Sequence, residues 1–183
     1  VNDLLVLTRS DAGMLNLDLQ AVNIFELAQT RCERLAPLAA KRQVGLEVVP
    51  QDEDEQRHFI VLADADRLAQ VFDNLLDNAI RHARPDSSVM ITIKPLEDQI
   101  QLEVRDRGDG IPGEHLPYIF ERFFRVSKSR DRQSGGSGLG LAIVCALIQA
   151  QGGRIVADSI EGRGTVITFW LPAVQTDTKL PQS

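Results

Sequence analysis

The sequence predicts an α/β two-layer sandwich, with a mixed, mainly antiparallel sheet packed on about three helices. Three observations carry that expectation. Apolar residues recur at helical spacing after Asn23, over residues 66–83 and over residues 139–151. Strand-like alternation marks two closely joined pairs, one across residues 88–106 with a turn near Glu97 and Asp98, the other at 153–159 and 165–171. Helices interspersed with such antiparallel pairs exclude a doubly wound parallel sheet. A chain of 183 residues, 43% hydrophobic and 25% charged, has ordinary globular composition and enough apolar material for one true core.

The elements follow in order. "VNDLLVLTRSDAG" puts Val1, Leu4, Leu5 and Thr8 on one helical stripe that ends near Gly13. A free helix of about twelve residues is marginal, so residues 1–13 read as the end of a longer helix and the chain as part of a longer protein. The rest of that protein can include membrane spans. "LNLDLQAV" alternates and is expected to be a short strand or connecting arm, residues 14–22. Asn23 with Glu26 three places on forms a capping box that opens a helix of about twenty residues. "VGLEVVP" reads as a strand, "QDEDEQ" as a solvated acidic loop and "HFIVLA" as another strand. In the next helix Leu68, Val71, Phe72, Leu75 and Ala79 mark the inward face. A Gly- and Arg-rich irregular stretch occupies residues 107–137. The main domain is expected over 23–172, and Pro172 with "QTDTKLPQS" leads into a loose tail, 173–183. There are no internal repeats.

Composition narrows the function classes. A net charge of −6 argues against a general nucleic-acid binder, which needs clustered Lys and Arg. No apolar run approaches the ~20 residues of a membrane span, and the start does not resemble a signal peptide. Cys32 and Cys145 lie far apart without a C-x-x-C, which suits reduced thiols in a cytosol, core or near-core rather than ligands.

"NLLDN", residues 74–78, raises a chemical question. Asn74, Asn78 and Arg81 form a second stripe flanking the apolar face, and buried amides are costly unless they find partners. "EVRDRGDGIPG" ends a strand at Asp106 and continues through Gly108, Gly110 and Gly113. The spacing matches G-x-G-x-x-G, yet Pro112 opens no long apolar helix and no βαβ unit surrounds it, so a dinucleotide fingerprint fails on context. Asp106 can instead accept from an amine donor such as an adenine amino group. "GGSGLGLAIV" runs Gly135, Gly136, Gly138 and Gly140 into an amphipathic helix whose free N–H groups can receive an anion. Just before it, "RFFRVSKSRDR" gathers Arg122, Arg125, Lys128, Arg130 and Arg132 against the single acid Asp131, a segment suited to a phosphate lid. An amide oxygen is a neutral hard ligand and Mg²⁺ prefers oxygen while keeping waters and phosphates. Asn78 can supply such an oxygen, with Asn74 orienting water and Arg81 offsetting phosphate charge.

Taken together these motifs resemble the ATP-binding domain of bacterial sensor histidine kinases, within the gyrase, chaperone, histidine kinase and mismatch-repair ATPase superfamily. "NLLDNAIRHA" is similar to the asparagine box, "DRGDGIP" to the first glycine box, "IFERFFR" to the phenylalanine box, "GGSGLGLAIV" to the second glycine box and "GRGT" to the closing glycine–threonine element. The resemblance covers 23–172 and implies the Bergerat-type sandwich with an ATP lid. "VNDLLVLTRSDAG" likewise resembles the end of the second helix of a dimerisation hairpin. The resemblance implies that Asn78 ligates Mg²⁺, that Asp106 bonds the adenine amino group, and that Gly110 and Thr165 shape the adenine pocket. It places Arg81 and His82 near the phosphates, backbone N–H groups of Gly138, Leu139, Gly140 and Leu141 on them, and Arg125 at the γ-phosphate. Gly108, Ile111 and Gly136 complete the implied ATP site; Asn74, Asn78, Arg81 and Arg125 make up its implied catalytic set. The implied partners are the protein's own dimerisation and phosphoacceptor domain in a homodimer, and a response regulator. No nucleic acid and no direct membrane contact by this chain are expected, and the domain is expected in the cytoplasm.

One departure matters. The three histidines are His58, His82 and His115, and none sits in a phosphoacceptor motif, so the acceptor is expected upstream of Val1. His58 and His115 read as surface residues. Three functions follow: a histidine kinase domain, a water-activating ATPase of the same superfamily, or a degenerate nucleotide-binding interaction module. Hydrolytic members carry a glutamate four residues before the metal asparagine to activate water. Asn74 stands at that place and an amide takes no proton usefully at neutral pH. Asp73 and Asp77 are expected to point away from the stripe. Transfer to a separate nucleophile is therefore favoured, and the intact boxes oppose degeneracy.

Overall fold

The computed structural model describes residues 2–51, 59–126 and 137–174. Helix α1 (Asn2–Asp11) leads to a short strand β1 (Gln20–Asn23), helix α2 (Ile24–Lys41) and strands β2 (Val44–Pro50) and β3 (Ile60–Ala63). Helix α3 (Ala65–His82) precedes the hairpin β4 (Ser87–Pro95) and β5 (Gln99–Arg105). After a short 3-10 turn at Leu116–Tyr118 come α4 (Gly140–Ala150), β6 (Arg154–Ile160) and β7 (Gly164–Pro172).

The main sheet has the order β2-β4-β5-β7-β6. Only β2 with β4 is parallel, because α3 returns the chain across the sheet between them; β4–β5, β5–β7 and β7–β6 are antiparallel. Alternation decides the layers. Val89, Ile91 and Ile93 of β4, Ile100, Leu102 and Val104 of β5, and Ile167, Phe169 and Leu171 of β7 are all buried on one face. The helices cover that face: α3 brings Leu68, Val71, Phe72, Leu75, Leu76, Ala79 and Ile80, and the ring of Phe72 meets Phe169 edge-on at 6.2 Å. Helix α3 touches both α2 and α4, and α1 packs on α4 through buried Val6 and Leu7. The two-layer sandwich expected from the sequence is the observed one.

Two differences have physical causes. Alternation in "LNLDLQAV" continues as strand only from Gln20, because β1 pairs with β3 in a separate two-stranded sheet with Gln20 opposite Ala63. Upstream of it, Asp18 N–H instead donates to Asp64 Oδ2 at 3.0 Å. Helix α3 starts one residue early, since Asp64 caps it by accepting from Arg67 N–H at 3.0 Å. That buried cap is held from behind: Asp64 N–H donates to Gln151 Oε1 (2.8 Å), and Gln151 Nε2 donates to Leu147 O (3.0 Å). The start of α3 is thus tied to the end of α4, fixing the two helices that carry the asparagines and the second glycine run. The Asn23 cap of α2 forms as expected, accepting from Phe25 and Glu26 N–H at 3.1 and 3.3 Å.

Candidate nucleotide site

The site gathers where the end of α3, the start of α4 and the β5, β6 and β7 strand ends meet. Asp106 directly follows β5 and is 7% exposed. Its Oδ1 accepts from Gly108 N–H (2.8 Å) and Thr165 N–H (3.3 Å), so the remaining oxygen, Oδ2, carries the open acceptor capacity. Burial pushes the Asp106 carboxyl above the ordinary carboxylate range, while the two backbone donors and nearby His82 pull back only part of that shift. The first glycine run wraps this carboxylate. At Gly110 φ is +70° and a Cβ would collide with the Ile160 carbonyl, so only glycine passes there. Ile111 N–H donates to Ser159 Oγ at 2.8 Å, and Arg84 Nη2 donates to Gly162 O at 2.8 Å, bracing the same loop against the β6–β7 turn.

On α3 the flank reads as the sequence suggests. Asn74 and Asn78 are half-buried, one turn apart. The Asn74 amide stands beside the first turn of α4: a Cβ at Gly140 would lie 3.8 Å from its Oδ1. Its Nδ2 is buried without a hydrogen-bond partner among the described residues, the kind of orphaned donor that a ligand oxygen or water satisfies. Asp73 does point away, to a bidentate pair with Arg31 of α2 (2.8 and 2.5 Å). Asp77 does not: its carboxylate reaches along the helix to Arg81 at 2.8 Å, the i,i+4 partner. The expectation that Asp77 lies clear of the stripe is corrected accordingly, and Arg81 enters the site already paired with an acid. His82 is exposed and close enough to Asp106 to favour its charged form.

Helix α4 begins at Gly140 behind Leu139, which makes no side-chain capping bond, so the first-turn N–H groups of Gly140 and Leu141 face the same corner as Asn74. Gly138 has φ +71° and a Cβ there would sit 2.9 Å from Phe123 backbone carbons. Phe123 N–H donates to Gly138 O at 2.9 Å, with Phe123 itself at φ 62°. This clasp joins the phenylalanine stretch to the second glycine run and was not legible in the sequence. Phe124 packs near the rings of His115 and Tyr118, centroids 5.7 and 5.9 Å away, so His115 is partly packed rather than free on the surface. Arg122 Nη2 pairs with Asp11 of α1 at 2.5 Å, and Arg125 lies exposed just beyond. Gly135, Gly136, Lys128, Arg130, Arg132 and His58 lie outside the described residues, as does the expected tail from 175 on.

The donor set offers a buried carboxylate for a base, a helix N-terminus for phosphates and amides for a hydrated cation. Among the described residues no cluster of three or more His, Cys, Asp or Glu forms. The unpaired Asn74 Nδ2 beside the helix start is a donor, so it suits a phosphate or water oxygen rather than a cation. A cation there would be carried largely by phosphates and water.

Comparison with known proteins agrees with this geometry. Residues 63–175 match the family model "Histidine kinase-, DNA gyrase B-, and HSP90-like ATPase". The chain is 36% identical over 174 residues to the sensor histidine kinase WalK of Bacillus subtilis (strain 168), covering 94% of this chain and 28% of that protein. It is 35% identical to a sensor protein kinase WalK of Staphylococcus aureus, of which it covers 40%. The chain therefore spans well under half the length of these relatives. Among solved structures, full-length ShkA in complex with AMPPNP superposes with a TM-score of 0.81 at 28% identity, covering 98% of this chain and 36% of that one. The nucleotide-free catalytic domain of histidine kinase ThkA gives 0.72 at 27% identity, covering 85% and 96%. The Bergerat-type sandwich is thereby the fold of this chain. No helix among the described residues is long and apolar enough to cross a membrane.

Proposed function

The chain belongs to the family of histidine kinase-, DNA gyrase B- and HSP90-like ATPases, and from that premise we propose that it binds Mg-ATP and transfers the γ-phosphoryl group to a histidine on a separate dimerisation domain. Asp106 Oδ2 accepts from the adenine amino group, with Thr165 and the Gly108–Ile111 loop closing the pocket around the base. N–H groups leading into and opening α4, from Gly138 to Leu141, hold the phosphates, with Arg81 and His82 beside them and Arg125 reaching the γ-phosphate. Asn78 would hold Mg²⁺ through its amide oxygen, and the ion would supply charge neutralisation for the phosphates there. A histidine nitrogen attacks the γ-phosphorus, the bond to the bridging oxygen breaks, and ADP leaves with that electron pair.

The observation that carries transfer over hydrolysis is the set of groups around Asn78. The position four residues before it is an amide whose Nδ2 is a donor without a partner among the described residues. The neighbouring carboxylates are engaged, Asp73 by Arg31 and Asp77 by Arg81. Among the described residues around Asn78, a water at the γ-phosphate finds no unengaged carboxylate to activate it, whereas an incoming imidazole brings its own nucleophilic nitrogen. Helix α1, packed on α4, is read as the end of a dimerisation-hairpin helix, which makes the wider protein a homodimer in a two-component pathway that passes phosphate to a response regulator from the cytoplasmic side.

Asn78→Ala tests the assignment. Base contacts survive while one ligand to the ion is lost, so phosphoryl transfer should fall much more than binding of a fluorescent ATP analogue. Equal transfer rates for wild type and variant in Mg²⁺ would remove Asn78 from the metal site.

A further inference from the structure

We infer that Ser159 is a positioning residue that fixes the polarity of the base pocket through Thr165, so that the wall beside Asp106 presents acceptors and selects a purine carrying an exocyclic amine. The inference rests on the nucleotide reading above and deepens it. Ser159 lies on β6 facing the first glycine run, and its hydroxyl is engaged three ways. It accepts from Ile111 N–H at 2.8 Å, donates to Gly164 O at 2.9 Å and stands 2.9 Å from Thr165 Oγ1.

Proton counting assigns the third bond. A serine hydroxyl has one proton and two lone pairs. The Gly164 carbonyl can only accept, so its bond uses the Ser159 proton; the Ile111 N–H occupies one lone pair. The Thr165 hydroxyl must then donate to the other lone pair, the only assignment that forms all three bonds. Thr165 Oγ1 is left with lone pairs alone. The backbone N–H of the same Thr165, with that of Gly108, occupies Asp106 Oδ1, leaving Oδ2 as a second acceptor. Two acceptors, one from each of these linked residues, favour an amino group and disfavour a carbonyl at the same ring position. Without Ser159 the Thr165 proton is released to turn toward the ligand, and the wall can then also serve a 6-oxo purine.

The experiment compares ATP with inosine triphosphate, which differs by a 6-oxo group in place of the amine, by calorimetric titration of the chain. Variants are Ser159→Ala, Ser159→Thr, Thr165→Val and the Ser159→Ala/Thr165→Val pair. Wild type should prefer ATP. Ser159→Ala should weaken ATP by about 3- to 10-fold, the scale of one neutral hydrogen bond, and narrow the ATP-to-ITP ratio by a similar factor. Ser159→Thr should restore most of the preference, and the double variant should lose no more preference than Thr165→Val alone. Equal weakening of both nucleotides, or an additive double variant, would reduce Ser159 to a structural brace and overturn the inference. If Ser159→Ala does not fold, Ser159→Thr and Thr165→Val decide: a changed ratio in the former or an unchanged ratio in the latter overturns it. Failure of the wild type to bind ATP is a different result, and removes the nucleotide reading itself.

Discussion

Replacing Asp106 by asparagine should move nucleotide affinity and stability in opposite directions. The Asp106 carboxylate is 7% exposed and its Oδ1 is held by Gly108 and Thr165 N–H at 2.8 and 3.3 Å. An asparagine keeps those bonds by placing its oxygen there, which turns its NH₂ toward the adenine amino group, donor against donor. Loss of a hydrogen bond to a charged acceptor costs about 1.5–3 kcal/mol, or about one to two decades in affinity. Stability behaves otherwise. Burial raises the Asp106 pKa above its ordinary value of 3.8, so the folded protein binds that proton more tightly than the unfolded chain does. The wild type therefore loses this contribution as pH rises from the ordinary carboxylate range through the raised value, and at neutral pH it bears the cost of a buried charge. Nucleotide binding needs the ionised form and should strengthen across the same window. Asp106→Asn removes both dependences: its melting temperature without nucleotide should equal or exceed wild type at neutral pH, and its weak affinity should not vary through mild acid. Fluorescent-ATP titrations and thermal melts at several pH values give both readings. Unchanged affinity at neutral pH, or a variant clearly less stable than wild type there, would refute the reasoning.

Two further outcomes are expected. Gly138→Ala forces a side chain into φ +71° and against Phe123 backbone 2.9 Å away, so it should cost about 1–2 kcal/mol for the left-handed conformation alone, seen as a lower melting temperature, and should weaken nucleotide binding by opening the Phe123–Gly138 clasp. Burial, with a smaller push from Glu33, raises the Cys32 thiol from 9.0 to about 11; a thiol reagent at neutral pH should modify Cys32 only on unfolding, and rapid stoichiometric labelling of the native protein at that residue would contradict its burial.

Local signals carried far in this chain. The stripe Leu68, Val71, Phe72, Leu75 and Ala79 is buried as its spacing demands, and the capping oxygens of Asn23 bond where the capping box places them. Such features are decided within a few residues, where periodicity and capping speak directly. What the sequence withheld depends on partners distant in the chain. The parallel β2–β4 register needs the whole α3 crossover, and β1 finds β3 across α2 and β2. The Ser159 network joins two strand ends and a loop, and a serine in an alternating strand carries no mark of it. Asp77 was misplaced for a different reason: helical angle separates Cα directions, but a flexible arginine one turn on reaches back across the gap. In the site, the glycine runs and both asparagines were legible; Arg84 and the Phe123–Gly138 clasp were not, since positive φ at a phenylalanine has no compositional signature.

The central claim is that the site passes phosphate to a histidine supplied from outside this chain and does not activate water. The direct measurement incubates γ-labelled ATP and Mg²⁺ with the chain alone, with a separately produced dimerisation hairpin carrying an acceptor histidine, and with both together. The chain alone should neither label itself nor release phosphate quickly. The mixture should give acid-labile label on the hairpin, slowly, because detached domains forgo the effective concentration of about millimolar that a short linker provides. Rapid phosphate release by the chain alone, abolished by Asn78→Ala, with no label on the hairpin, would contradict the account and establish a hydrolase.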